Sequence, residues 1–328
     1  MNTKSTIHIG VDVSKLFLDL SDFDNGEARI PNTPKGIGKL IKRIRAMDDE
    51  VIVTCEATGG YERLLVEELC VAKIPTSRVN PAQVRYYAKS QGILAKTDSI
   101  DAWIISLFAR SRFNTKSLYI SSAGEPALEE LRGLLQLRQT LRNDILANKN
   151  RLDPMPVKCV AKFLRGTIKH LEEQLKKVEA ALDNWLEQQA EYKADFERLF
   201  RVKGFGRISI LSLFAYIPEL GNVSDKRASA LIGAAPYVKQ SGSQKGSIGI
   251  SGGRRHVRNV IYMAALSATR FNPILSEFYE RLLANGKPRK VARIAVVRKM
   301  VVLANRILAN PDFKIAGSEP SENLSLAC

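Results

Sequence analysis

The first apolar run of the chain ends in a charge. Residues Ile7–Val13 read IHIGVDV, a β-branched stretch with the composition of a buried strand, and Asp12 stands between Val11 and Val13. A carboxylate taken into an apolar strand is costly unless it is paired or bound to a cation. The fold that follows has to bring the end of this strand to a place where that compensation is available.

The next elements restrict that place. Leu16–Phe23 (LFLDLSDF) reads as a second strand after a tight turn, and a third is expected near Ala28–Pro31. Lys35–Ala46 has helical spacing at Ile37, Leu40, Ile41 and Ile44, and Val51–Cys55 (VIVTC) is an apolar central strand. Tyr61–Ala72 reads as helix and Thr76–Val79 as strand, and further helices start at Pro81 and Asp98. Three strands followed by helix, strand, helix, strand and helix is the order of an RNase H-like α/β domain, expected over residues 1–115.

A helical region is expected over residues 116–200. Pro126–Asp153 is long, polar and rich in Leu and Arg, with no β signal. After Pro154–Pro156, the residues Ile168, Leu171, Leu175, Val178, Leu182, Trp185, Gln189, Tyr192, Phe196 and Leu199 are spaced alternately by three and four. That is a heptad seam, polar only at Gln189, and it predicts a coiled-coil stalk formed within the chain or between protomers. Residues 201–310 read as a mainly helical domain with Gly- and Ser-rich loops at Gly221–Asp225 and Gln240–Gly253. The polar, Ser-rich stretch 311–328 is expected to be unstructured.

Charge separates these regions. The chain of 328 residues carries 50 Lys and Arg against 34 Asp and Glu, a net +16. Between Arg201 and Asn310 there are 19 Lys and Arg against four acids, so nearly all the excess lies in the last third. A charge confined in this way fits a polyanionic partner with a phosphate backbone, the alternative being a solvated basic surface kept for solubility. Three His, and four cysteines without a Cys-x-x-Cys pair, argue against a zinc site and fit a reducing compartment. No signal peptide or membrane-length apolar run is evident, which places the chain in the cytoplasm with no membrane partner.

Four carboxylates stand out by position. Asp12 lies in the first strand, Glu56 follows VIVTC, and Asp98 and Asp101 share one face at the start of a helix. Four acids at element ends suit an oxygen-only site for Mg²⁺, which can activate a hydroxyl and stabilise the leaving oxygen of a phosphodiester. Taken singly, Asp98 would serve as a helix cap, Asp101 would complement the helix dipole and Glu56 would simply end a strand.

The basic third offers three constellations. Val202-Lys203-Gly204-Phe205-Gly206, with Arg207 opening a helix, is a helix-hairpin-helix turn whose backbone N–H groups suit a phosphate. The loop Gln240–Gly246 carries Ser241, Ser243 and Lys245, and is followed by Arg254, Arg255 and Arg258. It is read either as a flexible basic linker or as a serine nucleophile among phosphate-holding arginines. Gly286–Met300 is a basic helix in which Lys287, Arg289, Lys290, Arg293, Arg298 and Lys299 are expected to face a nucleic acid, the alternative being a solvated basic face.

GVDVSK, CEATGGY, NPAQVR, KTDSIDA, VKGFG and QSGSQKG…GGRRHVRNVIY occur in this order, between Ile7 and Leu308. Together they resemble the DEDD-type transposases of the insertion-sequence-110 family, which are related to Piv-type DNA invertases. The resemblance implies a recombinase that inserts and excises its own element. It assigns Asp12, Glu56, Asp98 and Asp101 to the metal site, and Ser241, with Ser243 as the neighbouring alternative, to the nucleophile joined to a DNA 5′ phosphate. It also implies a structured bridge RNA pairing with donor and target DNA, and a homo-oligomer, dimer to tetramer, in which one protomer's acids serve another's serine. The loop after Gly253 departs from the family's usual form, because Arg254 and Arg255 follow directly. A RuvC-like junction resolvase would leave the serine loop and basic domain without a role. A sugar kinase would need phosphate loops that are absent, and a non-catalytic DNA-binding protein would leave the four acids unexplained.

Overall fold

The computed structural model describes residues 6–22, 26–57, 59–93, 97–114, 126–238 and 248–313. The chain divides into two compact units, Met1–Ala127 and Leu128–Cys328.

The first unit is built on strands β1 (Thr6–Val13), β2 (Phe17–Asp22), β3 (Gly26–Pro31), β4 (Glu50–Glu56) and β5 (Thr76–Val79). They form one sheet in the order β3-β2-β1-β4-β5. β1, β2 and β3 pair antiparallel, while β4 and β5 run parallel to β1. This mixed order is that of an RNase H-like sheet, as the succession of elements predicts. Helices α1 (Pro34–Arg45), α2 (Arg63–Val71), α3 (Pro81–Ser90) and α4 (Asp98–Asn114) pack on it.

Their starts follow local chemistry. Thr33 caps α1, accepting from the Gly36 amide at 3.2 Å, with Pro34 in the first turn where its missing N–H is no loss. Asn80–Pro81 repeats the device at α3, where Asn80 Oδ1 accepts from the Ala82 amide at 2.8 Å. Ile9, Val11, Val13, Val51, Val53 and Cys55 meet Ile37, Leu40, Ile44, Leu65 and Leu69 in a core on one face of the sheet. Burial of these side chains supplies the main stabilisation, at roughly 1.5–3 kcal/mol each.

Among its described residues the second unit is helical apart from one two-stranded ribbon. It comprises α5 (Pro126–Leu152), α6 (Lys158–Gln188), α7 (Ala190–Phe200), α8 (Arg207–Tyr216), α9 (Asp225–Leu231), β6 (Pro236–Val238), β7 (Ile248–Ile250), α10 (Arg255–Phe271), α11 (Pro273–Ala284) and α12 (Arg289–Ala309). Lys149 pairs with Glu172 at 2.8 Å near the α5–α6 turn, and Arg138 pairs with Glu179 at 3.0 Å farther along, so the two helices run antiparallel. The heptad seam is not one helix. It breaks at its polar member, because Gln189, at φ −110 and ψ 82, closes α6 and opens α7.

The middle of α8 is buried from Ile210 to Ala215 and apolar except for Ser212, as a central helix should be. In α12 the buried Asn305 donates to Val223 O (2.9 Å) and Asp225 Oδ1 (3.1 Å) and accepts from the Gly221 amide (3.0 Å). One side chain thus fixes the turn ahead of α9. Among the described residues no helix is long and apolar enough to cross a membrane.

Candidate active site

The alternation of β1 decides where Asp12 points. Ile9, Val11 and Val13 enter the core shared with α1 and α2, so His8, Gly10 and Asp12 lie on the opposite face. α4 covers that face. A Cβ on Gly10 would stand 2.1 Å from Ala102 O and 2.5 Å from Ser106 N, so helix and strand meet there backbone to backbone. His8 meets the Phe113 ring at 5.1 Å, which marks the far end of the same contact. Moving along β1 from His8 through Gly10 to Asp12 is therefore moving along α4 from Phe113 through Ala102 toward Asp101 and Asp98.

The sheet register brings in the third element. The last parallel rung between β1 and β4 is Val11↔Cys55, and the next residue on each strand is an acid, Asp12 and Glu56. Across β2, Asp12 faces Asp19, whose charge is met by Arg29 through two hydrogen bonds of 2.7 and 3.0 Å.

The helix start is equally informative. Thr97 accepts from the Ile100 amide at 3.3 Å through its hydroxyl and from the Asp101 amide at 2.8 Å through its carbonyl, so Thr97 is the cap of α4. Asp98 is not required for that purpose. The side chain of Asp98 lies outside the described residues, whereas those of Asp12, Glu56 and Asp101 are half-buried.

Among the described residues no three His, Cys, Asp or Glu side chains stand close enough together to hold a metal ion. The backbone nevertheless brings two strand ends and a helix N-terminus to one sheet edge. The side chains offered there are all carboxylates, a donor type that suits a hard cation such as Mg²⁺.

Two further residues brace this edge. The Asn32 amide donates to Ser14 O at 3.0 Å and Tyr61 O at 3.1 Å, joining the turn after Asp12 to the loop after Glu56. Glu62, almost fully buried, accepts from the Gly60 amide at 2.9 Å and lies 3.6 Å from Arg78. Burial, reinforced by Glu62 and Glu56, pushes the Cys55 thiol up to about 12, so it remains protonated and inert.

The basic candidates of the second unit differ in availability. Ser241, Ser243 and Lys245 fall outside the described residues, as does the tail from 314. Lys203, Arg255, Lys287, Arg289 and Lys290 are exposed. Arg207 is engaged internally, 2.9 Å from Asp183 and donating to Glu179 O at 2.5 Å. The Gly206 amide donates to Ser209 Oγ at 2.9 Å inside the hairpin. Gly204, at φ 115, has no room for a side chain, since a Cβ would lie 2.4 Å from that of Ala268. Arg293 lies 5.9 Å over the Tyr279 ring. Arg254 and Arg258 are held by groups of the domain itself: a carboxylate of Glu219 for the first, and three backbone carbonyls for the second.

Comparison with known proteins bears on the same two units. A DEDD transposase profile matches residues 9–155, and a profile described as transposase IS116/IS110/IS902 family matches residues 196–280. The chain belongs to the IS110 transposase family. The pilin gene-inverting protein of Moraxella lacunata is 24% identical over 316 residues, covering 93% of this chain and 96% of that protein. The Moraxella bovis protein of the same name is also 24% identical over 316 residues. A Thermus thermophilus RuvC structure with a Holliday junction substrate matches 36% of this chain and all of its own, at 14% identity and a TM-score of 0.29. That score adds nothing to the strand order.

This IS110 transposase is thus a DNA transposase/recombinase, and its acidic edge lies in the segment matched by the DEDD profile. Sequence reading alone misses Asn32, Thr97 and Glu219. Only Thr97 left a usable signal, as a capping residue directly ahead of an acid at a helix start. The partners of Asn32 and Glu219 lie too far along the chain to be inferred from local pattern.

Proposed function

We propose that this transposase cuts and rejoins DNA strands with two sets of residues. Asp12, Glu56, Asp98 and Asp101 form a Mg²⁺-dependent site, and Ser241 is the nucleophile. The observation that supports the first half is the shared edge: β1 and β4 end side by side in an acid, and the N-terminus of α4 meets them. Bound there, Mg²⁺ would supply activation of an oxygen nucleophile and stabilisation of a leaving oxygen. The carboxylates would hold the cation and take up the serine proton.

The reaction balances without a further reagent. Ser241 Oγ forms a bond to phosphorus, the P–O3′ bond breaks, and the 3′ oxygen leaves with a proton. A second strand's 3′-OH then attacks the same phosphorus, the P–Oγ bond breaks, and the proton of the 3′-OH returns to Ser241. Exposed Lys203, Arg255, Lys287, Arg289 and Lys290 offer the backbone contacts to donor and target DNA. A structured bridge RNA supplies sequence choice by base pairing, and a homo-oligomer, dimer to tetramer, joins one protomer's acids to another's serine through the helical region.

The test is to trap the protein on DNA flanking its own gene and compare wild type with Ser241→Ala, Asp12→Ala and Asp98→Asn. A covalent protein–DNA adduct is expected in wild type only. An adduct that survives Ser241→Ala removes the serine, and full activity of Asp98→Asn removes the metal site. Efficient recombination by a preparation free of RNA removes the guide.

A further inference from the structure

Arg254 and Arg258 follow the serine loop in the chain and look, in sequence, like phosphate ligands. Their surroundings say otherwise. Arg254 makes a two-pronged ion pair with Glu219, with Nη2 2.6 Å from Oε1 and Nη1 2.7 Å from Oε2. The Glu219 side chain is only 5% exposed. Moving Arg254 onto a phosphate would leave that carboxylate buried and unpaired, an outcome that strongly disfavours the move. The Arg254 amide is committed too, donating to Leu231 O at 2.8 Å.

Arg258 is used differently. Its Nη1 donates to Gly252 O at 2.8 Å and Gly233 O at 3.1 Å, and lies 3.4 Å from Ile232 O. Ile232–Gly233 leads into β6, and Gly252–Gly253 trails β7, so one guanidinium holds both flanks of the ribbon. The backbones are in direct contact at this point, because a Cβ on Gly253 would stand 2.1 Å from the Gly233 nitrogen. The ribbon itself pairs Pro236↔Ile250, Tyr237↔Gly249 and Val238↔Ile248. Between its strands, in the chain, lies the segment with Ser241. Next to Arg254, the His256 ring stands edge-on to Tyr216 of α8 at 4.2 Å, tying the start of α10 to the central helix.

We infer that Arg254, with Glu219, and Arg258 are positioning residues that clamp the base of the β6–β7 ribbon to the body of the second unit. The inference rests on the serine reading above for its catalytic consequence. A nucleophile misplaced by about 1 Å loses roughly a hundredfold in rate. A clamp at the base of the β6–β7 ribbon, between whose strands Ser241 falls in the chain, therefore acts on the chemical step and not on DNA affinity.

The test uses the full-length protein and a duplex carrying the sequence that flanks its gene. Three quantities are measured: the rate of adduct formation at saturating DNA, the salt dependence of DNA binding, and amide hydrogen exchange over residues 232–238 and 248–253. Glu219→Gln is expected to slow adduct formation by about tenfold or more and to speed exchange at those amides, with DNA affinity unchanged. The paired Glu219→Gln/Arg254→Gln protein leaves no buried charge, and Arg258→Lys removes only the carbonyl fork. Both keep the test open if Glu219→Gln does not fold, and both are expected to behave alike.

Asn305→Ala is the control. It loosens a comparable buried clamp elsewhere in the unit and is expected to lower Tm without slowing the adduct. A Glu219→Gln protein with wild-type rate overturns the inference. So does a paired variant whose exchange is unchanged but whose salt slope falls by about 0.9, the signature of one phosphate no longer neutralised. An adduct in Ser241→Ala removes the serine reading alone. The clamp then stands or falls on strand joining by Glu219→Gln.

Discussion

The acidic edge of the first unit and the ribbon base of the second are assembled by different means. At the acidic edge, placement comes from backbone: strand alternation and a parallel register set Asp12 and Glu56 at neighbouring strand ends, and a capped helix start carries Asp101. At the ribbon base, placement comes from side chains: Arg254 reaches Glu219 across 35 residues, and Arg258 gathers three carbonyls. The first kind of site keeps its geometry when one of its acids is replaced. The second loses its geometry with the residue. On the reading proposed above, charge at the first serves chemistry directly, whereas charge at the second serves architecture.

The largest effect expected from this contrast is at the acids. Asp12→Asn or Asp101→Asn should leave Tm nearly unchanged while strand cleavage falls by roughly two to three powers of ten, the equivalent of several kcal/mol. Thermal unfolding and single-turnover cleavage on the same preparations check it, and a large Tm loss with intact cleavage would break the contrast. Next come the close backbone contacts. Gly10→Ala should cost about 1–3 kcal/mol or more by urea titration, because α4 has to move off β1. Gly204→Ala should cost a similar amount, and Ala268→Gly should relieve part of it by clearing the colliding methyl.

Smaller still is the exposed charge. Replacing Lys287, Arg289 and Lys290 together by Ala should weaken binding evenly across DNA sequences and reduce the salt slope by about 0.9 for each phosphate that is no longer neutralised. Stability should not change.

The smallest effect concerns two histidines. Burial, aided by Arg110 for His8 and by Arg254 for His256, holds both below the ordinary value of 6.5. As pH falls below about 6.5 the unfolded chain takes up protons that the folded chain refuses, so this contribution to stability is present above that pH and is lost below it. His8→Phe and His256→Phe should each flatten the decline of Tm between about pH 6.5 and 5. A decline that keeps its slope in both would assign the acid sensitivity to carboxylates.

The contrast also explains how far sequence alone reaches. The sheet was legible because an alternating or continuous apolar run identifies each strand, and the order of elements leaves few ways to arrange them. With the strands in place, Asp12 and Glu56 had to fall at neighbouring ends. The helical seam was legible as periodicity but not as geometry. A one-residue change of backbone at Gln189 starts a new helix without shifting the apolar spacing, so the pattern runs on through a break. The arginines after the serine loop show a related limit of local pattern. Composition counts charges, but whether Arg254 faces a phosphate or Glu219 depends on tertiary packing that no local pattern encodes.

Gly10 has one more consequence. Where strand and helix touch through their main chains there are no rotamers to yield, so any push on α4 passes to β1 undamped. In a saturation mutagenesis screen for recombination, position 10 should therefore score as intolerant as Asp12 two residues on. The two would separate only when folding is read alongside activity. A ranking built on activity alone would class a spacer with the chemistry.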